Sequence, residues 1–507
     1  MFKNHPKGLI AAALANMGER FGFYIMMAIL LLFLNNKFGF SGGATGSIIY
    51  SVFYALIYIL SLVGGLIADK TKKYKSTILA GLLLMTAGYF MLAIPTKTPV
   101  DNMPLVLGYT CLGLFAIAFG NGLFKGNLQA VVGQLYDNPQ YADKRETGFQ
   151  IFYMFINLGA MFAPLMAVGL RNWWVQSQGY IFNADLPALC NQYVSGTITP
   201  EAQQRFSELA VSVGGSAENL NAFANDYLNV FITGYHYSFG IAIFAMLISL
   251  AIFVSNKKKL PDPSIKGQSK QDANVVEMDV KEIRQRIYAL FAVFGVVIFF
   301  WFSFHQNGQT LTLFANDYTR MININLGFTT LQGAEVFQAF NPIFVVFLTP
   351  VVIGFFGWLK AKGLEISTPK KIAIGMGIAA LAFTVMIIGS IGLPTSAERQ
   401  AMGGLPDSER VTPWLLIGTY FILTVAELFI SPLGIAFVSK VAPPKYQGIM
   451  QGGWLSATAL GNQLLFIGVI FYNSIPIWAT WLIFVVACLV SMFTMIIMLK
   501  WLERVAK

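Results

Sequence analysis

Residues 8–35 read GLIAAALANMGERFGFYIMMAILLLFLN, an apolar run long enough to cross a membrane as a helix. About 20 such residues span a hydrocarbon core of about 30 Å. Glu19 and Arg20 interrupt the run, although a full charge near the bilayer centre costs about 2.5–3.5 kcal/mol. Lys125 and Glu427 lie in similar runs further along the chain. The four charges together predict a polar cavity inside a helical bundle, where solutes or protons are handled.

The composition agrees with a membrane protein. Of the 507 residues, 56% are hydrophobic and only 11% are charged, whereas soluble domains carry about 25% charged residues. Apolar stretches recur along the whole chain and predict an all-α membrane protein with about twelve transmembrane helices. The expected spans are 8–35, 44–69, 75–95, 104–135, 144–171, 231–254, 284–316, 334–359, 370–393, 411–439, 446–472 and 475–502.

The distribution of positive charge predicts an orientation. With the N-terminus inside, 25 of the 34 Lys and Arg residues lie in cytoplasmic segments and 7 lie outside. Short cytoplasmic loops retain Lys and Arg, so both termini are expected in the cytoplasm. The net charge of +10 follows from this topology and does not indicate nucleic-acid binding. The sequence shows no cleavable signal peptide, and its loops have a bacterial-like economy. We therefore expect a multi-pass protein of a bacterial inner membrane.

The chain is expected to form two six-helix bundles, residues 1–254 and 284–507, joined by a polar cytoplasmic linker at 255–283. An outer loop at 172–230 separates helices 5 and 6. Two halves in parallel repetition predict a major facilitator fold with a substrate site between them. Gly64, Gly65 and Asp69 resemble the inner-loop motif of that superfamily. The glycines permit close helix approach, and Asp69 is a candidate inner-gate residue.

Several short motifs identify a narrower resemblance. Residues 16–24 read NMGERFGFY, residues 120–127 read GNGLFKGN, residues 152–159 read FYMFINLG and residues 426–434 read AELFISPLG. These stretches, in this order, resemble the motifs of the proton-dependent oligopeptide transporters, the peptide branch of the major facilitator superfamily. The resemblance covers both halves of the chain. It implies import of di- and tripeptides by alternating access, driven by proton symport.

The resemblance also implies roles for individual side chains. A peptide carboxylate would bind Arg20 and Lys125, and its amino group would bind Glu427. The complete expected substrate site is Arg20, Tyr24, Tyr58, Lys125, Asn157, Trp301, Asn341, Glu427, Ser431 and Trp454. Structural alternatives remain for many of these: the charges could form a buried ion pair, the aromatic residues could only pack, and Asn157 and Asn341 could bond between helices.

Two departures from the family pattern concern proton coupling. Asn16 replaces the first glutamate of the helix 1 motif, and His305 replaces a carboxylate usually found in helix 7. Glu19, Glu427 and His305 remain as candidate proton-coupling groups. Protonation of a carboxylate would release its cationic partner and shift the balance between conformations. Alternatively, His305 is neutral and bonds Gln309 one turn later.

Other functional classes receive less support. The chain has no phosphate-binding glycine loop, no H-E-x-x-H pair and no G-x-S-x-G turn, so an enzyme is not expected. We expect no cofactor or metal, with protons as the coupling ion, and a monomer surrounded by membrane lipid. The alternatives are a relative that carries another small zwitterion or an anion, or a non-transporting peptide sensor. Lys125 together with Glu427 favours a zwitterion over a simple anion.

Overall fold

The computed structural model describes residues 5–71, 73–136, 138–141, 145–261, 279–364, 366–443 and 447–506. Helices dominate this part of the chain. They are α1 (Gly8–Phe38), α2 (Thr45–Thr71), α3 (Tyr74–Ala93), α4 (Met103–Leu135), α5 (Arg145–Ser177), α6 (Leu186–Ser195), α7 (Pro200–Ser212), α8 (Leu220–Asn256), α9 (Val280–Phe304), α10 (Thr310–Tyr318), α11 (Phe340–Ala361), α12 (Thr368–Ser390), α13 (Ser396–Ala401), α14 (Pro413–Val441), α15 (Gln447–Gln463), α16 (Leu465–Ser474) and α17 (Ile477–Val505).

Within the described residues, twelve helical segments are long and apolar enough to cross a membrane. This confirms the expected number. A transmembrane helix satisfies its backbone hydrogen bonds internally, which the hydrocarbon core demands. Two spans each contain an interruption: α9 and α10 form one, and α15 and α16 form another.

The two interruptions contact each other, which the hydropathy pattern does not predict. A 3₁₀ turn at His305–Gly308 separates α9 from α10. Gln306 Nε2 donates to the carbonyl oxygen of Leu465, at the start of α16, over 3.3 Å. Non-helical backbone at membrane depth persists only where protein groups satisfy it. The side chain of Gln306 therefore supports the break in the neighbouring span.

The two halves pack internally and then against each other. In the first half α1 packs on α5 and α8, and α3 packs on α4; in the second half α12 packs on α14 and α17. The halves meet where α2 packs on α15 and where α5 packs on α11. Of the expected linker, residues 262–278 lie outside the described part of the chain. The expected division at residues 254 and 284 stays a prediction.

The expected outer loop at 172–230 contains regular structure. Helix α5 continues to Ser177, and α8 already begins at Leu220. Between them lie α6 and α7, whose side chains Leu189, Phe206 and Ala210 are buried. Thr199 accepts a hydrogen bond from the Ala202 N–H, and Pro200 occupies the first turn, so α7 begins with favourable capping. We call residues 178–219 the cap.

A short antiparallel hairpin follows α10. Its strands are β1 (Asn323–Asn325) and β2 (Thr330–Gln332), with Ile324 opposite Leu331. Asn172 Nδ2, near the end of α5, donates to the carbonyl oxygens of Thr330 and Gln332 over 2.8 Å each. The hairpin therefore joins the second half to the first at the end of the bundle that carries the cap. We call that end the cap face, and the opposite end, where α1 begins and α17 ends, the terminal face.

Candidate functional site

A cavity of about 550 Å³ lies between the two halves. Sites for small organic ligands usually enclose about 300–1,000 Å³. The first half contributes side chains from α1, α2, α4 and α5, and the second half contributes side chains from the α9–α10 region, α11, α14 and α15. The expected site residues along its walls are Arg20, Tyr24, Tyr58, Lys125, Trp301, His305, Asn341, Glu427, Ser431 and Trp454.

Helix α1 holds a buried ion pair beside the cavity. Arg20 donates to Glu19 from Nε over 2.6 Å and from Nη2 over 2.7 Å. Asn121 Nδ2 on α4 donates to Glu19 over 2.6 Å. The two charged side chains are only 5% and 1% exposed. Arg20 lines the cavity. Glu19 points away from the cavity toward α4, and its carboxylate compensates the charge of the guanidinium on the side away from the cavity. Asn16, Arg20 and Tyr24 therefore share the side of α1 that faces the cavity, whereas Glu19 does not lie on that side.

Lys125 presents a cation to the cavity from α4. Its ammonium lies 4.8 Å from the centre of the Tyr58 ring, a distance typical of a cation–π contact. Within the described residues, no ion pair links Lys125 to a carboxylate. The alternative of a structural Lys–Glu pair is therefore wrong for Lys125 among these residues. Its charge is available to a ligand.

Glu427 supplies the carboxylate of the second half. Its Oε2 accepts a hydrogen bond from Asn341 Nδ2 over 2.9 Å. Asn341 also donates to Thr424 Oγ1 over 3.0 Å. Asn341 thus bonds between α11 and α14, as the structural alternative predicted, and still lines the cavity. The amide orients the carboxylate while leaving it exposed to the interior of the cavity.

His305 lies in the interruption of helix 7. Its ring stacks on Trp301 with 4.8 Å between centroids and 17° between planes. His305 Nδ1 lies 2.5 Å from Asn462 Oδ1, so the proton on this nitrogen donates to the amide. The suggested bond to Gln309 is wrong: Gln309 Nε2 donates to Ser51 on α2 over 2.8 Å. The 3₁₀ turn shifts Gln309 off the face that a continuous helix would give it.

Asn157 and the two glycines of the inner-loop motif have other surroundings. Asn157 is not among the cavity-lining residues, and its Nδ2 donates to the backbone oxygen of Tyr153 over 3.2 Å. Gly64 approaches α4 so closely that an added Cβ would lie 2.1 Å from the Gly122 oxygen. A Cβ on Gly65 would meet nothing within 4 Å, so only the first glycine permits close helix approach. The Asp69 side chain lies outside the described part.

The Trp454 ring packs against Gly434 of the AELFISPLG motif. A Cβ on Gly434 would lie 2.0 Å from the Trp454 ring, so the missing side chain makes room for the indole. Ser431 lies one turn before Gly434 on α14 and also lines the cavity. Both positions belong to one helical face with Glu427.

The cavity is also lined by aromatic residues that the sequence analysis did not predict. Tyr50 and Tyr54 precede Tyr58 at intervals of four along α2, with 6.0 and 5.9 Å between successive ring centroids. This spacing places them on one helical face, a signal that the sequence does contain. Phe23 lies under Arg20, with its ring centre 4.6 Å from the guanidinium carbon. The site is therefore more aromatic than the sequence analysis indicated.

In the described part of the chain, twelve helical segments apolar enough to span a membrane surround a central charged cavity, an arrangement typical of a membrane transporter. The sequence profile of the POT family matches residues 75–271 and 256–477. The chain belongs to this family, the proton-dependent oligopeptide transporters, and is not an enzyme.

Individual relatives agree with the family assignment. The chain is 27% identical over 482 residues to the peptide transporter YePEPT of Yersinia enterocolitica, covering 91% of this chain and 87% of the relative. It is 27% identical over 478 residues, with the same coverage, to the uncharacterized transporter YclF of Bacillus subtilis. A crystal structure of the peptide transporter POT in complex with sulfate superposes with a TM-score of 0.70 at 23% identity, covering 100% of this chain and 96% of that one. The major facilitator fold is thus confirmed.

Proposed function

We propose that this protein imports di- and tripeptides by alternating access, driven by proton symport. The observation that carries the proposal is the cavity, which has a cationic wall at Arg20 and Lys125 and a carboxylate at Glu427 on the other half. A peptide in its zwitterionic form has complementary charges at its two ends. The peptide transporters among the relatives support the same substrate class.

Lys125 is the principal carboxylate-binding group in this proposal. Arg20 is already engaged by Glu19, whereas Lys125 has a cation–π contact with Tyr58 and no ion pair among the described residues. Charge-assisted hydrogen bonds are about twice as strong as neutral ones. The amino group of the peptide binds Glu427, which Asn341 orients. Because these contacts involve the termini, side-chain selectivity is loose.

The remaining expected residues shape the site around the backbone of the bound peptide. Tyr24 and Tyr58 offer phenolic hydrogen bonds, and Ser431 offers a hydroxyl. Trp301 and Trp454 form walls of the pockets for peptide side chains. Asn157 acts through Tyr153, whose carbonyl oxygen accepts its hydrogen bond and whose side chain reaches the cavity.

Proton coupling is assigned to Glu19, Glu427 and His305. A proton on Glu19 would remove the charge that Arg20 now contacts at 2.6 Å and would free the guanidinium for substrate or for movement. A proton on Glu427 would weaken its hold on a peptide amino group and favour release. His305 contributes through the Asn462 bond, which links helix 7 to α15. No cofactor is involved.

We propose that the terminal face is cytoplasmic and that the cap face is external, in the cytoplasmic (inner) membrane of a bacterium. The excess of Lys and Arg in segments at the terminal face supports this orientation. Gly64, Gly65 and Asp69 then lie toward the inner gate. We also propose that the transporter acts as a monomer.

The test is uptake of labelled dialanine into liposomes that contain the purified protein, with and without an inward proton gradient. Glu427→Gln is the test variant, and Glu208→Gln, a change of the same kind on the exposed side of α7, is its control. Accumulation that requires the gradient and is lost only in Glu427→Gln supports peptide symport. Equal exchange with and without the gradient would reject the proton coupling. Uptake of no peptide would reject the substrate class and favour another zwitterion or a sensor.

A further inference from the structure

The cap meets the second half through a cluster of buried charges. Asp185, just before α6, receives Arg410 Nη2 at 2.6 Å and Arg205 Nη2 at 3.3 Å. Arg399 Nη1 lies 3.9 Å from the other oxygen of Asp185, and Arg399 Nη2 lies 3.2 Å from Asp317. Asp185 and Arg205 belong to the cap, whereas the other three residues belong to the second half. We call these five residues the outer lock.

The outer lock differs from an ordinary surface ion pair in its burial. The side chains of Asp185 and Arg410 are each 4% exposed, and that of Arg399 is 9% exposed. The pair of Lys97 with Asp101, at the same end of the bundle, is 75% and 73% exposed. Exposed pairs contribute little, but removing one partner of a buried pair leaves an uncompensated charge. Removing one partner of a buried contact in the outer lock therefore destabilises the conformation that contains this contact.

Hydrogen bonds from cap side chains to backbone carbonyl oxygens extend the connection between the cap and the second half. Arg205 Nε donates to the carbonyl oxygen of Gly403 over 2.9 Å, and its Nη2 donates to that of Leu405 over 2.8 Å. Thr199 Oγ1, at the start of α7, donates to the oxygen of Ala401 over 2.5 Å. Each of these bonds crosses from one half to the other. The cap is thus fastened along the segment that contains α13.

A second cross-half group lies deeper at the same face. Arg171, near the end of α5, pairs with Glu335, and both side chains are almost fully buried. Asn172 adds the hydrogen bonds to the hairpin described above. The bonds between the halves thus concentrate where the cap lies. Separation of the halves at this face requires all of them to break.

Arg399 keeps its charge over the physiological pH range. Burial alone would lower the pKa of Arg399, but the carboxylates of Asp317 and Asp185 outweigh it and hold that pKa above its usual value. The guanidinium therefore stays charged whenever the protein is folded. Opening depends on replacement of its partners by water and not on loss of its proton.

We propose that the cap is a lock that holds the two halves together at the outer face, with Asp185 as its hub. Outward opening of the central cavity then requires Asp185 to release Arg399 and Arg410 of the second half. The cap, which a minimal twelve-helix transporter does not need, thereby sets how often the cavity faces outward. This inference goes beyond the proposed substrate and rests on the proposed orientation and alternating access.

The experiment measures access to the cavity from outside without any substrate. Met27, a buried cavity-lining residue on α1, is changed to cysteine after Cys111, Cys190 and Cys488 have been replaced. A membrane-impermeant maleimide is then applied to the outer face of right-side-out vesicles. Asp185→Asn is the test variant, and Asp101→Asn is the same chemical change in the exposed pair. We expect labelling about tenfold faster in Asp185→Asn, because a buried ionic hub has lost its charge, and no change in Asp101→Asn.

A second variant keeps the proposal testable if Asp185→Asn does not fold. Arg205→Gln removes two hydrogen bonds across the halves and one ion pair within the cap, but leaves Asp185 paired with Arg410. We expect labelling about two- to fivefold faster, since net hydrogen bonds contribute about 1 kcal/mol each and Gln retains part of them. The proposal is overturned if Arg205→Gln labels at the rate of Asp101→Asn, whether or not Asp185→Asn yields folded protein. Dialanine uptake is measured separately, so a failure of the peptide assignment would not be confused with a failure of the lock.

Discussion

Replacing Lys125 by Gln tests the electrostatic basis of the site. The ammonium faces the cavity and contacts the Tyr58 ring at 4.8 Å, with no carboxylate partner among the described residues. A peptide carboxylate would therefore bind this cation without first displacing an anion. A hydrogen bond to a charged group contributes about 1.5–3 kcal/mol. At about 1.4 kcal/mol for each factor of ten, Lys125→Gln should weaken dialanine binding about 10- to 140-fold.

The assay compares dialanine with dialanine amide, which lacks the terminal negative charge. Binding of each peptide to wild-type protein and to Lys125→Gln is measured by titration calorimetry in detergent. The four affinities form a thermodynamic cycle that isolates the contact between Lys125 and the carboxylate. We expect the variant to lose affinity for dialanine and to bind the amide almost as wild-type protein does.

Lys97→Gln is the matched control, because it removes a lysine charge from a side chain that is 75% exposed and far from the cavity. Its two affinities should equal those of wild-type protein. The reasoning would be refuted if Lys125→Gln weakened both peptides by the same factor. In that case Lys125 would stabilise the cavity itself and would not recognise the carboxylate.

Three further predictions follow from the same geometry. Glu427→Gln should weaken dialanine binding about tenfold or more but leave N-acetyl-dialanine almost unaffected, because a charge-assisted bond to the amino group is lost; equal losses in calorimetry would contradict this. Gly64→Ala should lower stability by about 1–3 kcal/mol through overpacking against α4, whereas Gly65→Ala, whose Cβ meets nothing within 4 Å, should not; thermal unfolding in detergent compares the two. Asn16→Asp should make dialanine binding weaker at pH 8 than at pH 5, since an ionised carboxylate would add a negative charge to the cavity in which the peptide carboxylate binds; a flat pH profile equal to that of wild-type protein would argue against this.

Most of the substrate-site residues expected from the sequence do line the cavity, because each motif lies on one helical face. Glu427 and Ser431 are four residues apart, as are Arg20 and Tyr24, so one turn of helix brings each pair to the same side. Glu19 shows the limit of this reasoning. Adjacent residues on a helix point about 100° apart, and only the position of Asn121 on α4 explains why Glu19 turns away from the cavity.

His305 and Asn157 show a second limit. The partner of His305 is Asn462, more than 150 residues away in the sequence, and the interruption of helix 7 redirects Gln309 to α2. Periodicity within one segment predicts neither a 3₁₀ turn nor the helix packed opposite. Asn157 has the expected residue type but bonds its own helix at Tyr153.

By itself, the sequence determined the membrane class, the number of spans and the family, because hydropathy, charge bias and short motifs are local properties of the chain. The tertiary structure alone decided that Lys125 has no ion-pair partner among the described residues, that Glu19 pairs with Arg20 on the side away from the cavity, and that Asp185 of the cap meets three arginines. Apart from the pair of adjacent residues Glu19 and Arg20, whose orientation depends on Asn121 of α4, these features depend on electrostatic contacts between segments far apart in sequence. Such contacts form only after the two halves have packed, when burial makes each unpaired charge costly and each partner consequential.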